Sequence, residues 1–212
     1  MGGKKFSILG DSISTFAGIT PKGGVFYDID MQDATGVKTP EDTWWMQVIN
    51  KAGGELLVNN SIMSSMVSGN FSIAGISDVR VKDLGRKGDP EVILVAMGTN
   101  DWAFQVLPEE FEEAYHTLLF KLKALYPYAE VWCATIIRGY LDDPDDIDFF
   151  NAESGISPVV YSDIIRKVAE EEEVSVADLA SYDQEYPAID TVHPTKEGMK
   201  ILADLWCKEL KL

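Results

Sequence analysis

The chain has 212 residues, 46% of them apolar, and 18 basic against 35 acidic side chains give it a formal charge of -17. A chain of this length buries about 70% of the surface its unfolded form exposes, enough for one domain spanning 1–212. The acidic balance repels phosphate backbones and anionic bilayers, which argues against a general nucleic-acid binder or a membrane-surface protein, and no apolar stretch reaches membrane-spanning length.

The N-terminal run Met1-Gly2-Gly3-Lys4-Lys5 leads straight into a strand with no signal-peptide core, which points to a cytoplasmic address. That strand, Phe6 to Leu9, ends in Gly10-Asp11-Ser12. A serine just past a strand end can project its hydroxyl into a crevice, or it can simply cap a turn. Next comes a Gly-containing insertion, residues 16–38, with Phe16, Phe26 and Tyr27. A helix is predicted to open at Thr39-Pro40-Glu41-Asp42 and to run through Trp44, Trp45, Val48 and Ile49 until Gly53-Gly54 stops it.

Four further runs read as short strands: Leu56 to Asn60, Val92 to Met97, Ala129 to Thr135 and Val174 to Ala177. They are apolar and rich in Val and Ile, and at least the third is nearly continuous in that character, as suits a parallel strand covered on both faces. Between them, a helix begins at Pro108, places Phe111, Tyr115, Leu118, Leu119, Leu122 and Leu125 on one stripe, and ends before Pro127. Ser157-Pro158 opens another that continues to about Glu172, after a second insertion, 139–155, crowded with Asp142, Asp143, Asp145, Asp146 and Asp148. Thr195 caps the last helix, whose inward stripe is Met199, Leu202, Leu205 and Trp206. This alternation predicts an α/β fold, three layers α/β/α, with a flavodoxin-like open parallel sheet of about five strands and ligands beyond the strands' C-terminal ends.

Cys133 and Cys207 sit in apolar surroundings without CxxC or His/Cys spacing, so they read as buried reduced thiols rather than a disulfide or a metal site. A serine nucleophile needs a base within about 3 Å and a group to orient that base. Asp190-Thr191-Val192-His193 offers both, because a three-residue spacing lets a short turn bring the carboxylate to Nδ1 while Nε2 faces Ser12. Pro194 then restrains the histidine. The other histidine, His116, lies mid-helix on an outer covering and is a poor candidate for the base. After the third strand, Gly98-Thr99-Asn100-Asp101 places an amide where it can donate to an oxyanion, although the same tetrapeptide also makes a good turn.

These blocks, in this order along nearly the whole chain, resemble the SGNH hydrolases, or GDSL esterase and lipase family. The resemblance implies Ser12 as nucleophile, with Asp190 and His193 completing the triad, and an oxyanion hole formed by the Ser12 N-H, the Asn100 side chain and a backbone N-H of the second block. That block departs from the family pattern: in Asn59-Asn60-Ser61-Ile62-Met63-Ser64 it carries Ser64 where glycine is usual, with a one-residue shift to Ser65 as the alternative. Serine keeps the N-H but is strained if the position needs φ > 0. Asn59 is expected to anchor local loops.

The resemblance implies a single catalytic domain with no metal or organic cofactor. It allows deacetylation of carbohydrates, short-chain ester hydrolysis, and lysophospholipid or thioester cleavage. Phe26, Tyr27, Trp44 and Trp102 are candidates for substrate contact, as sugar platforms or as apolar packing, and Phe104, Tyr140 and Phe149-Phe150 share that ambiguity. The expected partner is a small-molecule ester, an acylated carbohydrate among the choices. A noncatalytic sugar-binding descendant is the reading that Ser64 leaves open, and the absence of a Gly-rich Lys loop weighs against phosphoryl transfer.

Overall fold

The computed structural model of the protein describes residues 3–141 and 155–212. The acidic run 142–148 and Phe149-Phe150 therefore lie outside the described residues. Five parallel strands form the central sheet: β1 (Lys5–Gly10), β2 (Glu55–Ser61), β3 (Val92–Ala96), β4 (Glu130–Ala134) and β6 (Ser175–Ala177), in the order β2-β1-β3-β4-β6. β5 (Gly139–Leu141) and β7 (Tyr186–Ala188) pair in parallel as a separate ribbon. The flavodoxin-like α/β architecture expected from the sequence is present.

Helices cover both faces because the strands are apolar on both. On one side α3 (Asp78–Asp83), α5 (Pro108–Leu125) and α6 (Pro158–Glu171) bury a core that includes Phe111, Tyr115, Leu118, Ile165 and Val168. On the other, α2 (Trp44–Lys51) and α7 (Lys196–Glu209) pack Trp44, Trp45, Ile49, Leu205 and Trp206 against Ile8 and Leu94. Two short helices complete the set: α1 (Ile29–Thr35), inside the 16–38 insertion, and α4 (Thr99–Ala103), just past β3. No helix of the described residues is long and apolar enough to cross a membrane. Both cysteines are buried and free.

The predicted helix at Thr39 starts later than its caps suggest. Thr39 and Asp42 form a capping box that closes only a 3-10 turn over Pro40–Asp42, and extended Thr43 then caps α2 anew by accepting from the Met46 N-H. The caps expected at Ser157 and Thr195 stand where the sequence puts them.

Strand order reverses between β1 and β3, so the crevice at their C-terminal ends is the topological switch point. Ser12 follows β1 and Asn100 follows β3, which brings the two to one rim.

Candidate active site

Gly10 ends β1 where a side chain would not fit: a Cβ there would lie 2.6 Å from Ser61 Oγ and 2.7 Å from Ser14 Cβ. That close approach lets the chain turn into the 3-10 turn Ser12–Ser14, capped by Asp11, whose Oδ1 accepts from the Ile13 N-H at 3.0 Å. Ser12 is buried in this turn, and its hydroxyl lies 2.8 Å from His193 Nε2. His193 Nδ1 lies 2.5 Å from Asp190 Oδ2. The other Asp190 oxygen accepts from the N-H groups of Val192 at 3.1 Å and His193 at 2.6 Å, so the carboxylate folds the loop as well as orienting the ring.

The base loop is held from several sides. β7 leads into it, Gly139 N-H donates to Thr191 O at 3.0 Å, and Thr191 adopts φ +63°. Such a conformation is costly for a β-branched residue and persists only where its surroundings impose it. Two buried tyrosines clamp the carbonyls on either side of His193: Tyr186 OH donates to Val192 O at 2.8 Å and Tyr27 OH to Pro194 O at 2.9 Å. The Phe26 ring lies flat on the imidazole, 3.5 Å between centroids and 8° between planes.

Across the crevice, Ser64 is exposed and has φ +60°. A residue in the left-handed region at this point explains why glycine is the usual occupant in the resembled family. Among the described residues, neither the Ser12 nor the Ser64 N-H donates a hydrogen bond. Asn100 Nδ2 donates one hydrogen to Ser65 O at 3.0 Å, which leaves its second for the crevice. Ser65 itself is buried and turned inward, with its hydroxyl near Gly10 O, so the one-residue shift is the poorer alignment. Asn59 is buried and donates to Ser14 O at 2.9 Å, an anchoring contact.

The remaining candidates separate. Tyr27 and Trp44 are buried: Tyr27 is the clamp described above, and Trp44 donates to Ser14 Oγ at 3.1 Å while stacking on Trp206. Tyr27 is thus engaged in the base loop and Trp44 in the core, where Trp44 also borders the cavity beside Asp11 and Ile13. Trp102 is buried too; its Nε1 donates to Ile156 O at 3.1 Å and Arg138 lies over its ring. Phe26 is half-buried, with one face on His193. His116 sits on α5 between Glu171 and Glu172, remote from the strand ends, at 3.1 and 3.0 Å.

Three residues escaped the sequence reading. Asp101 is buried and receives the N-H groups of Val67 at 2.8 Å and Ser68 at 3.0 Å, tying the second block to the third. Arg80 and Tyr186 carry no motif that marks them. Asp11 is buried as well; nothing among the described residues donates to its Oδ2, and burial pushes its carboxyl up to about 7. It borders an otherwise mostly apolar cavity of about 50 Å³ lined also by Ile13, Thr99, Ile136, Ile137 and Tyr186. Among the described residues no cluster of His, Cys, Asp and Glu is suited to a metal ion.

Residues 4–210 match the family model for GDSL-like lipase/acylhydrolase. A Bacteroides uniformis structure described as a GDSL-like lipase is 25% identical, with a TM-score of 0.71, over 100% of this chain and 97% of that one. A Bacteroides ovatus structure of the same description is 21% identical, TM-score 0.73, over 100% and 99% of the two chains. A psychrotrophic esterase from Pseudoalteromonas, solved inhibited by monoethylphosphonate, is 15% identical, TM-score 0.64, over 98% and 97%. No curated protein matches the sequence.

Proposed function

Because the chain belongs to the GDSL-like lipase/acylhydrolase family and is therefore a serine ester hydrolase, we propose that Ser12, His193 and Asp190 hydrolyse a small acyl ester, an acetyl group on a carbohydrate above all. The observation that carries the reading is the continuous chain of short contacts, Ser12 Oγ to His193 Nε2 at 2.8 Å and His193 Nδ1 to Asp190 at 2.5 Å, at the switch-point rim.

Ser12 Oγ attacks the acyl carbonyl as His193 Nε2 takes its proton, and Asp190 stabilises the imidazolium. The flat face of Phe26 contributes through cation-π attraction that exists only once the ring is charged, so it acts on the transition state more than on the ground state. The N-H groups of Ser12 and Ser64 and the free hydrogen of the Asn100 amide receive the oxyanion. His193 then protonates the leaving alcohol, and water, deprotonated by the same nitrogen, releases the acid from acyl-Ser12.

Two features support a small acyl group on a sugar. The cavity beside Asp11 and Ile13, which Ser12, Ser64, Asn100 and His193 do not line, holds only about 50 Å³, against the roughly 150 Å³ that holds benzene in an engineered protein core, so it gives a long acyl chain no room next to the nucleophile's turn. Tyr140, next to the residue that binds Thr191 O, keeps its ring exposed for stacking. Rates on p-nitrophenyl esters from acetate to dodecanoate, with acetylated sugars alongside, test the proposal. Acetate is expected to be fastest, with Ser12→Ala reduced by at least about a thousandfold. An optimum at eight carbons or more transfers the assignment to lysophospholipid or thioester chemistry, and equal activity in Ser12→Ala sinks the triad.

A further inference from the structure

Arg80 stands on α3, in the run Asp78-Val79-Arg80-Val81-Lys82-Asp83, yet its side chain is wholly buried. All five of its guanidinium hydrogens have acceptors. Nε donates to Asn60 Oδ1 at 2.8 Å, Nη1 to Ser65 Oγ at 3.0 Å and Ile73 O at 2.8 Å, and Nη2 to Gly10 O at 2.8 Å and to Asn60 O. None of these acceptors is a carboxylate. Burial pulls its pKa down to about 10, which still leaves the group charged at neutral pH. Removing a cation from water without a counter-ion in contact is costly, and a core residue of similar shape would pack there more cheaply.

What the five bonds connect gives the charge a use. Gly10 O and Asn60 O belong to the last residues of β1 and the penultimate residues of β2, where the ladder between the strands ends. Gly10 stands two residues before Ser12. Ser65 follows Ser64, and its carbonyl receives the Asn100 amide at 3.0 Å. One rigid, planar fork thus fixes the backbone beside all three donors named for the oxyanion, and places a positive charge behind them.

We propose that Arg80 is a positioning residue of the oxyanion site, a buried cation that holds Gly10, Asn60 and Ser65 in register and whose field favours the negative charge that develops at the substrate carbonyl. The inference rests on the esterase reading above. A fixed charge and fixed dipoles in a site shielded from water act on the transition state without reorganisation, so the loss falls on kcat rather than KM.

The test uses Arg80→Lys, which keeps the charge and loses the fork, and Ser65→Ala, which removes one acceptor and leaves Arg80 in place. Each is assayed on p-nitrophenyl acetate and with phenylboronic acid, whose tetrahedral adduct with a serine is anionic, and each is melted by circular dichroism. Expected for Arg80→Lys is a kcat lower by roughly tenfold to a hundredfold, and for Ser65→Ala by about threefold to tenfold, with KM within about twofold and the boronate Ki raised by the same factor as kcat falls. A purely structural role predicts a lower melting temperature with the boronate Ki unmoved in the folded fraction, and that result overturns the proposal. Unchanged kcat in both folded variants overturns it too. If Arg80→Lys does not fold, Ser65→Ala decides alone. A wild type inactive on every ester refutes the esterase reading, an outcome distinct from active variants in an active background.

Discussion

The two walls of the crevice are held rigid by different means. The wall that carries Ser12, Ser64 and Asn100 is fastened by hydrogen bonds that converge on two buried charged side chains, Arg80 and Asp101. The wall that carries His193 is folded locally by Asp190 and fastened to the rest of the molecule by aromatic side chains: Phe26 on the imidazole face, the hydroxyls of Tyr27 and Tyr186 on the carbonyls of its neighbours. The difference follows from what each wall must do. Oxyanion donors need fixed directions and a positive field, which polar networks supply. A base must exchange protons on a ring whose charge changes during turnover, so Asp190 takes Nδ1 and flat apolar packing steadies the ring without competing for Nε2.

The largest effects are expected on the polar wall. Asn100→Ala removes one oxyanion donor and is predicted to lower kcat by about a hundredfold to a thousandfold with little change in KM, measured by steady-state kinetics on the acetate ester. Leu in place of Phe26 should not approach that loss; if it does, the division of labour between the walls is wrong.

Asp11 gives the polar wall a pH signature. In the folded chain its carboxyl keeps a proton up to about pH 7, against an ordinary value of 3.8, so between these values the folded state binds more protons than the unfolded one. Stability therefore falls as pH rises through that window, by up to about 4 kcal/mol from this group if its whole shift is expressed. Asp101, raised in the same direction by burial, adds to the slope. The carboxylates held low by cations, Asp42 and Asp178, are already ionised above pH 5 and do not oppose it there. Denaturant melts of wild type and Asp11→Asn at pH 5 and pH 8 should show the wild type losing more stability across the interval, since Asn keeps the bond from Ile13 and never ionises. Parallel losses would assign the slope elsewhere.

The distinction between the walls also explains what could be read from sequence. Ser12, Asn100, Asp190 and His193 are marked by local rules: a strand followed at once by Gly-Asp-Ser or Gly-Thr-Asn, and an acid three residues before a histidine. Local rules fail where the partner is distant. Arg80 lies in a run of alternating charge that looks like a solvated helix face, and only the ends of β1 and β2, from 20 to 70 residues away in sequence, reveal its burial. Tyr27 meets its acceptor 167 residues on, so nothing nearby distinguishes a clamp from a sugar platform. Trp44 is ambiguous in the sequence for the same reason, its ring being stacked on Trp206 from the last helix. The 16–38 insertion reads as irregular because Asp28, which caps α1, and Gly36, which ends it, enclose only seven residues.

On the aromatic wall, Phe26→Leu keeps the bulk and removes the π face. A cation-π contribution of about 0.5 to 2 kcal/mol in the transition state corresponds to a fall in kcat of roughly twofold to thirtyfold. Fluorinated phenylalanines at the same position separate electrostatics from shape, because fluorine drains the ring's negative face while barely changing its volume. A stepwise decline in kcat with each fluorine supports charge stabilisation. A flat series together with a loss in Phe26→Leu would make the ring a spacer only.

The smallest effect sharpens the comparison most, because each wall contains one non-glycine residue in the left-handed region near its functional atoms. Ser64, at φ +60°, is exposed and contributes only a backbone N-H, whereas Thr191, at φ +63°, is buried and its hydroxyl donates to Asp190 O at 2.6 Å. Glycine at 64 relieves the strain and loses no packing, but it also loosens the unfolded chain, so the net gain should be about 0.5 kcal/mol, a rise of about 1 to 2 °C in Tm. Since the donor is unchanged, kcat should stay within about twofold. Glycine at 191 relieves a similar strain but forfeits buried contacts and the hydroxyl bond, and should destabilise by about 1 kcal/mol or more. A tenfold loss of kcat in a stable Ser64→Gly would mean that the oxyanion wall depends on the serine's restriction of the backbone, and strain, rather than the N-H alone, would then be part of how that wall is held.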